Sequence, residues 1–154
     1  MSVGRHLKRL TAVWSEQEVY FITICVAGRK SILANDVCAA ILREEWTALR
    51  VRHGWSVGRY VIMPDHVHFM TAPVLAAAKP LSVAIGRWKE WTAKRIMRSR
   101  GQSGPLWQAE YFDHLLRSTE SRSAKWAYVL ENPVRAGLVQ SAGLWPYGGF
   151  VDFE

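Results

Sequence analysis

The sequence predicts an α+β fold: a ferredoxin-like (RRM-like) sandwich whose antiparallel sheet carries helices on one face, with a tyrosine-bearing helix added at the C-terminus. Three observations predict it. The run Val19-Tyr-Phe-Ile-Thr-Ile-Cys-Val26 is dense in β-branched and aromatic residues and is followed by Gly28, the pattern of a central strand. Two later apolar segments are separated only by Pro64-Asp65, the spacing of a tight turn between paired strands. Stretches of helical period lie between these strands, giving the order β-α-β-β-α-β and then a final helix.

Each element has a local cause. Asp36 is the expected N-cap of a helix over 37–52, with Cys38, Ile41, Leu42, Trp46 and Leu49 on one face and Gly54 ending it. Strands are expected over 56–63 and 66–72. Pro80 or Leu81 opens a second helix that runs to about Arg100 and closes at Gly101. Its Leu81, Ile85, Trp88 and Ile96 fall on one side and should face the sheet. The segment 107–116 is mixed and reads as a short strand. Ser118 or Ser121 caps the last helix, which should stop near Asn132 because Pro133 disfavours helical geometry in the residue before it.

The chain of 154 residues is long enough for one domain and short for two, so 1–154 reads as a single domain in which 1–18 and 140–154 carry no assigned element. The longest apolar run, 19–27, is far too short to span a bilayer, and the basic N-terminus lacks the apolar core of a signal peptide. Cys25 and Cys38 form neither a disulfide framework nor a metal motif, which fits a reducing cytoplasm. The net charge of +7 favours a polyanionic partner. That charge is concentrated between Lys79 and Arg100, where seven basic residues meet one acid, Glu90. Arg87, Trp91, Lys94 and Arg98 lie within about 60° of one another around the second helix. This is either a solvated basic face or a nucleic-acid surface in which Trp91 stacks on a base.

His66-Val67-His68 carries the strongest chemistry. Residues i and i+2 of a strand point to one face, so two imidazoles there can converge on a divalent metal; equally, two histidines beside a turn can be structural. Tyr128 and Asn132, one helical turn apart, supply a phenol that can act as nucleophile and an oxygen donor suited to a hard cation. A packing tyrosine and a helix-terminal asparagine are the plainer alternative. A phenol is a weak nucleophile at neutral pH and needs a base or a nearby cation. Tyr20, Tyr60, Tyr111 and Tyr147 are rival nucleophiles, but none has an amide side chain four residues later. His6 and His53 carry no signal, and Arg135 reads as a surface or DNA-backbone charge.

Three segments, Tyr60-Val-Ile-Met-Pro-Asp-His-Val-His68, Leu106-Trp-Gln-Ala-Glu-Tyr-Phe-Asp-His-Leu-Leu-Arg117 and Tyr128-Val-Leu-Glu-Asn-Pro-Val-Arg-Ala-Gly-Leu-Val139, occur together and in that order. The combination resembles the REP-associated tyrosine transposases, relatives of the single-tyrosine HUH transposases of insertion sequences (IS200-like). The resemblance runs from about Val19 to Pro146. It implies that His66, His68 and Asn132 bind Mg²⁺ or Mn²⁺ and that Tyr128 attacks a phosphate of single-stranded DNA, forming a 5′-phosphotyrosine link that is later reversed. It also implies that the substrate lies beside repetitive palindromic hairpins and that the protein is a monomer or a homodimer. A His-His-Asn site suits Mn²⁺ at least as well as Mg²⁺. Trp107, Gln108, Asp113, His114 and Arg117 belong to the same pattern; Arg117 is a candidate phosphate contact, the others candidate braces. Asp65 belongs either to the tight turn or near the metal.

Two other readings compete. A histidine-triad hydrolase would need a third histidine where Met70 stands. A domesticated relative would bind DNA hairpins without cutting them, although His66, His68, Tyr128 and Asn132 are all present.

Overall fold

Residues 18–154 are described by a computed structural model. The elements follow as β1 (Val19–Cys25), α1 (Asp36–His53), β2 (Trp55–Met63), β3 (His66–Pro73), α2 (Leu81–Ser99), β4 (Phe112–Leu116), α3 (Thr119–Leu130), α4 (Asn132–Arg135) and β5 (Gly148–Phe150). The strands form one antiparallel sheet in the order β4-β1-β3-β2-β5. The first four make the expected ferredoxin-like sheet.

The sheet is apolar on both faces. Ile22 and Ile24 of β1, Ile62 of β2 and Val67 and Phe69 of β3 join Leu42 and Trp46 of α1 and Ile85, Trp88 and Ile96 of α2 in the main core. Trp46, Trp88 and Trp107 form its centre: the Trp46 and Trp88 rings stack at 5.3 Å, and Trp88 and Trp107 at 5.4 Å. Alternate residues turn the other way. Val19, Phe21, Val61, Met63, Met70, Ala72 and Leu116 form a second cluster, covered by Trp126 and Val129 of α3. Helices α1 and α2 therefore lie on one side of the sheet and α3 on the other.

Local chemistry moves several expected boundaries. The N-cap of α1 is Asn35 rather than Asp36. Asn35 is extended and its side chain accepts the Cys38 N–H at 2.9 Å, whereas Asp36 is already helical and accepts from the Tyr147 hydroxyl. Gly54 ends α1 at φ 76°, where a Cβ would stand 2.4 Å from the Ala77 carbonyl oxygen. On α2, Leu81 is only half-buried, while Ala84 and Thr92 join Ile85, Trp88 and Ile96 inside. Ser118 caps α3 by accepting the Ser121 N–H at 3.0 Å. The last helix ends at Leu130, before the expected position, and a separate short helix restarts at Asn132 with Pro133 in its first turn. Strand β5 is an addition: Gly148-Gly149-Phe150 has no alternating pattern, and β2 supplies its partners at Arg59, Tyr60 and Val61.

Trp46 is fully buried and in ring contact with Trp88, Tyr60 and Phe69. Trp46→Ala should therefore cost about 3–5 kcal/mol of stability in urea unfolding. A loss below about 1 kcal/mol would mean that the three-tryptophan centre does not hold the helix layer to the sheet.

Candidate metal and nucleophile site

The site begins with the alternation of β3. Val67 and Phe69 are buried toward α1 and α2, which forces His66 and His68 onto the face shared with α3. The two imidazoles meet edge to face with ring centres 4.7 Å apart. Each is held at Nδ1. Thr23 Oγ1 lies 2.9 Å from His68 Nδ1, and Asp65 Oδ1 lies 2.7 Å from His66 Nδ1. Burial opposes ionisation of Asp65, but hydrogen bonds from His66 and Arg29 hold its carboxyl below the usual range. An ionised carboxylate only accepts, so His66 donates to Asp65 from Nδ1. For His68, burial, then the nearby His66, Lys125 and Arg29 charges, push the imidazole down to about 3, so it is neutral at physiological pH.

His66 and His68 thus share one face of β3, and each ring is engaged at Nδ1. Among the described residues no group of three His, Cys, Asp or Glu lies together.

Arg29 supports this arrangement from a bend. Gly28 and Arg29 both adopt positive φ, at 68° and 52°, turning the guanidinium back to Asp65 at 2.9 Å and to Cys25 Sγ at 3.2 Å. Thr23 and Arg29 lie outside the sequence motifs. Thr23 was visible only as a polar residue inside an apolar strand, and nothing local marked Arg29.

Helix α3 presents Tyr128 on this same side of the sheet. Trp126 and Val129 anchor the helix in the second cluster, and Lys125 Nζ stands 4.8 Å over the Phe21 ring. Phe21 in turn stacks on His68 at 5.2 Å, which ties α3 to the histidine strand. Tyr128 is 63% exposed. Tyr60, by contrast, is buried in the main core, and Tyr20, Tyr111 and Tyr147 pack against it. Burial, then the Asp113 charge, raises the Tyr111 phenol above its ordinary value. Asn132 heads α4 rather than continuing α3, and its Oδ1 accepts from Arg135, whose guanidinium also lies 4.0 Å over the Tyr128 ring. Thus the structure pairs His66 with His68 and Tyr128 with Asn132; among the described residues no hydrogen bond joins the two pairs.

The basic face of α2 lies elsewhere. Arg87, Trp91, Lys94 and Arg98 are exposed, but they belong to the helix layer across the sheet from the histidines. Glu90 pairs with Arg87 at 3.2 Å and Lys94 at 3.4 Å, while Lys94 and Arg52 approach the Trp91 ring at 5.2 and 5.9 Å. Trp107 and Gln108 act as braces: Trp107 Nε1 donates to Thr92 Oγ1 at 2.9 Å, and the Gln108 N–H donates to the Cys25 carbonyl. Arg117 and Asp113 are exposed on or beside β4. His114 and Phe112, paired in register with Phe21 and Thr23, are exposed on the histidine side, uncovered by the other described residues. His53 ends α1 in the other layer; His6 and most of the unassigned N-terminal segment lie outside the described residues.

The depressed His68 pKa has a measurable consequence. In metal-free protein the folded imidazole takes a proton only near pH 3, whereas the unfolded one does so near the ordinary value of 6.5. Across that window the unfolded state binds the extra proton, so stability falls on acidification by up to about 1.4 kcal/mol per pH unit. His68→Gln should flatten the slope of unfolding free energy between pH 7 and pH 5 by part of that amount. Equal slopes in both proteins would contradict the neutral, buried imidazole.

Comparison with known proteins agrees with this fold and these motifs. The family described as "Transposase IS200 like" matches residues 15–131. The REP-associated tyrosine transposase of Escherichia coli K12 is 25% identical over 132 residues, covering 85% of this chain and 75% of that protein. A Haemophilus influenzae relative assigned provisionally to the same type is 24% identical over 140 residues, 86% of this chain and 79% of its own. Among solved structures, a REP-associated tyrosine transposase bound to a REP hairpin shares the fold with a TM-score of 0.69 at 22% identity, covering 86% of this chain and 76% of that one. No helix among the described residues is long and apolar enough to cross a membrane. The chain belongs to the IS200-like transposase family.

Proposed function

We propose that the protein is a Mg²⁺- or Mn²⁺-dependent enzyme that cleaves and rejoins single-stranded DNA beside palindromic hairpins through a covalent link to Tyr128. The observation that carries this reading is that both histidines are held at Nδ1 on the sheet face that also carries Tyr128, among the described residues the one tyrosine not packed against the main core. His66, His68 and Asn132 would hold the ion, whose charge would neutralise the scissile phosphate and favour attack on it.

The chain's own residues do the rest. Thr23 and the Asp65–Arg29 pair fix the two imidazoles. Tyr128 attacks phosphorus through its phenolic oxygen, whose proton passes to solvent. The bond from phosphorus to the 3′ oxygen breaks, and that oxygen takes up a proton to leave as a free hydroxyl. A 5′-phosphotyrosine remains, and attack by a 3′-hydroxyl reverses the step and joins strands. The open shelf around Phe112 and His114 gives a single strand access to this face. The hairpin complex of the solved relative supports a hairpin partner for this chain too.

In this reading the α2 face takes hairpin backbone away from the reacting phosphate, because it lies across the sheet. Replacing Arg87 and Arg98 together by Gln should reduce the slope of log affinity against log salt by about one to two units. An unchanged slope would return Arg87, Trp91, Lys94 and Arg98 to a solvated surface.

The central test is a denaturing gel with labelled single-stranded hairpins and Mn²⁺. Wild type should form a protein–DNA adduct. Tyr128→Phe should abolish it while leaving hairpin affinity within about twofold, and His68→Ala should abolish cleavage and weaken Mn²⁺ binding by about tenfold or more. Tight hairpin binding by wild type with no adduct, across many hairpins, would instead favour a binding protein that no longer cuts.

A further inference from the structure

Arg135 lies inside the third sequence motif, beyond the tyrosine helix, and its guanidinium turns back onto its own chain. Its Cζ lies over the Tyr128 ring, 4.0 Å from the ring centre, and Nη2 donates to the Tyr128 carbonyl at 2.8 Å and to Asn132 Oδ1. These contacts span a structural break. Helix α3 ends at Leu130, Pro133 has no N–H to continue the ladder, and α4 begins at Asn132. The Tyr128 carbonyl would otherwise rely on the longer Glu131 N–H contact at 3.3 Å. Among the described residues the guanidinium is also the one charged or aromatic partner of a tyrosine ring that is 63% exposed.

We propose that Arg135 is a positioning residue that holds Tyr128 and Asn132 as one unit across the α3–α4 break. The proposal rests on the nucleophile and ligand roles given above and adds what keeps those two groups in register. A planar guanidinium can stack through its face while donating through its edge, which an ammonium cannot do. Asn132 Oδ1 keeps a second lone pair beside the Arg135 bond, so the amide remains an oxygen donor whose direction is set. Arg135 thereby supplies the rigidity that a continuous helix would have given, at the point where Pro133 removes it.

The discriminating variants are Arg135→Lys, which keeps the charge without the plane, and Arg135→Gln. Both should slow single-turnover adduct formation by about tenfold or more, because small misplacements of a nucleophile are costly. Hairpin affinity should stay within about twofold, so the loss falls on the rate and not on binding. Backbone amide exchange over 128–135 should quicken in both metal-free variants. Wild-type cleavage by Arg135→Lys, or a fall in affinity that accounts for the whole loss of rate, would overturn the proposal and make Arg135 a DNA-backbone charge. If wild-type protein forms no adduct with either metal, the phosphotyrosine reading fails; unchanged exchange in the variants would separately overturn the positioning role.

Discussion

Everything at the site depends on the period-two alternation of β3 between two apolar layers. Val67 and Phe69 are fully buried against the helix layer, and a one-residue slip would exchange them with His66 and His68. The large tryptophan-centred core fixes this register far more firmly than the polar groups could. Histidine placement is therefore a consequence of hydrophobic packing on the opposite side of the sheet. Thr23 and Asp65 then only have to orient rings that packing has already brought together.

The tyrosine side is built on a different principle. Helix α3 is anchored by Trp126 and Val129, yet the turn that carries Tyr128 projects past them into solvent. Helix termination at Leu130 leaves carbonyls without helical partners, and a basic residue beyond a helix C-terminus is well placed to satisfy them. The two halves of the site thus differ in rigidity. The histidines belong to a central strand with neighbours on both sides, whereas Tyr128 lies in the last turn of α3 and Asn132 at the start of α4. Charge follows the same division: the basic α2 face is separated from the histidine side by the whole sheet.

Much of this was legible in the chain. The four-strand order, the two covering helices and the convergence of His66 and His68 follow from local periodicities of 2 and 3.6, which depend only on neighbouring residues. The supporting groups were not legible. Thr23 is 45 residues from His68, and Arg29 reaches His66 only because Gly28 and Arg29 turn the chain at positive φ. Asn35 displaced Asp36 as cap because both residues are good caps and a tertiary bond to Tyr147 engages the second. Pro133 announced a helix end but concealed the restart at Asn132, since proline also suits the first turn of a new helix. β5 was invisible because its pairing comes from β2 and not from its own residues.

The central claim is that a single phenol, Tyr128, becomes joined to DNA. Tandem mass spectrometry of a trypsin- and nuclease-treated adduct addresses it most directly, because cleavage after Lys125 and Arg135 isolates a peptide containing Tyr128 as its sole tyrosine. The account predicts a nucleotide phosphate on that peptide, localised to Tyr128, and only when divalent metal was present. A nucleotide on the peptide that carries Tyr111, or on any residue other than Tyr128, would contradict it.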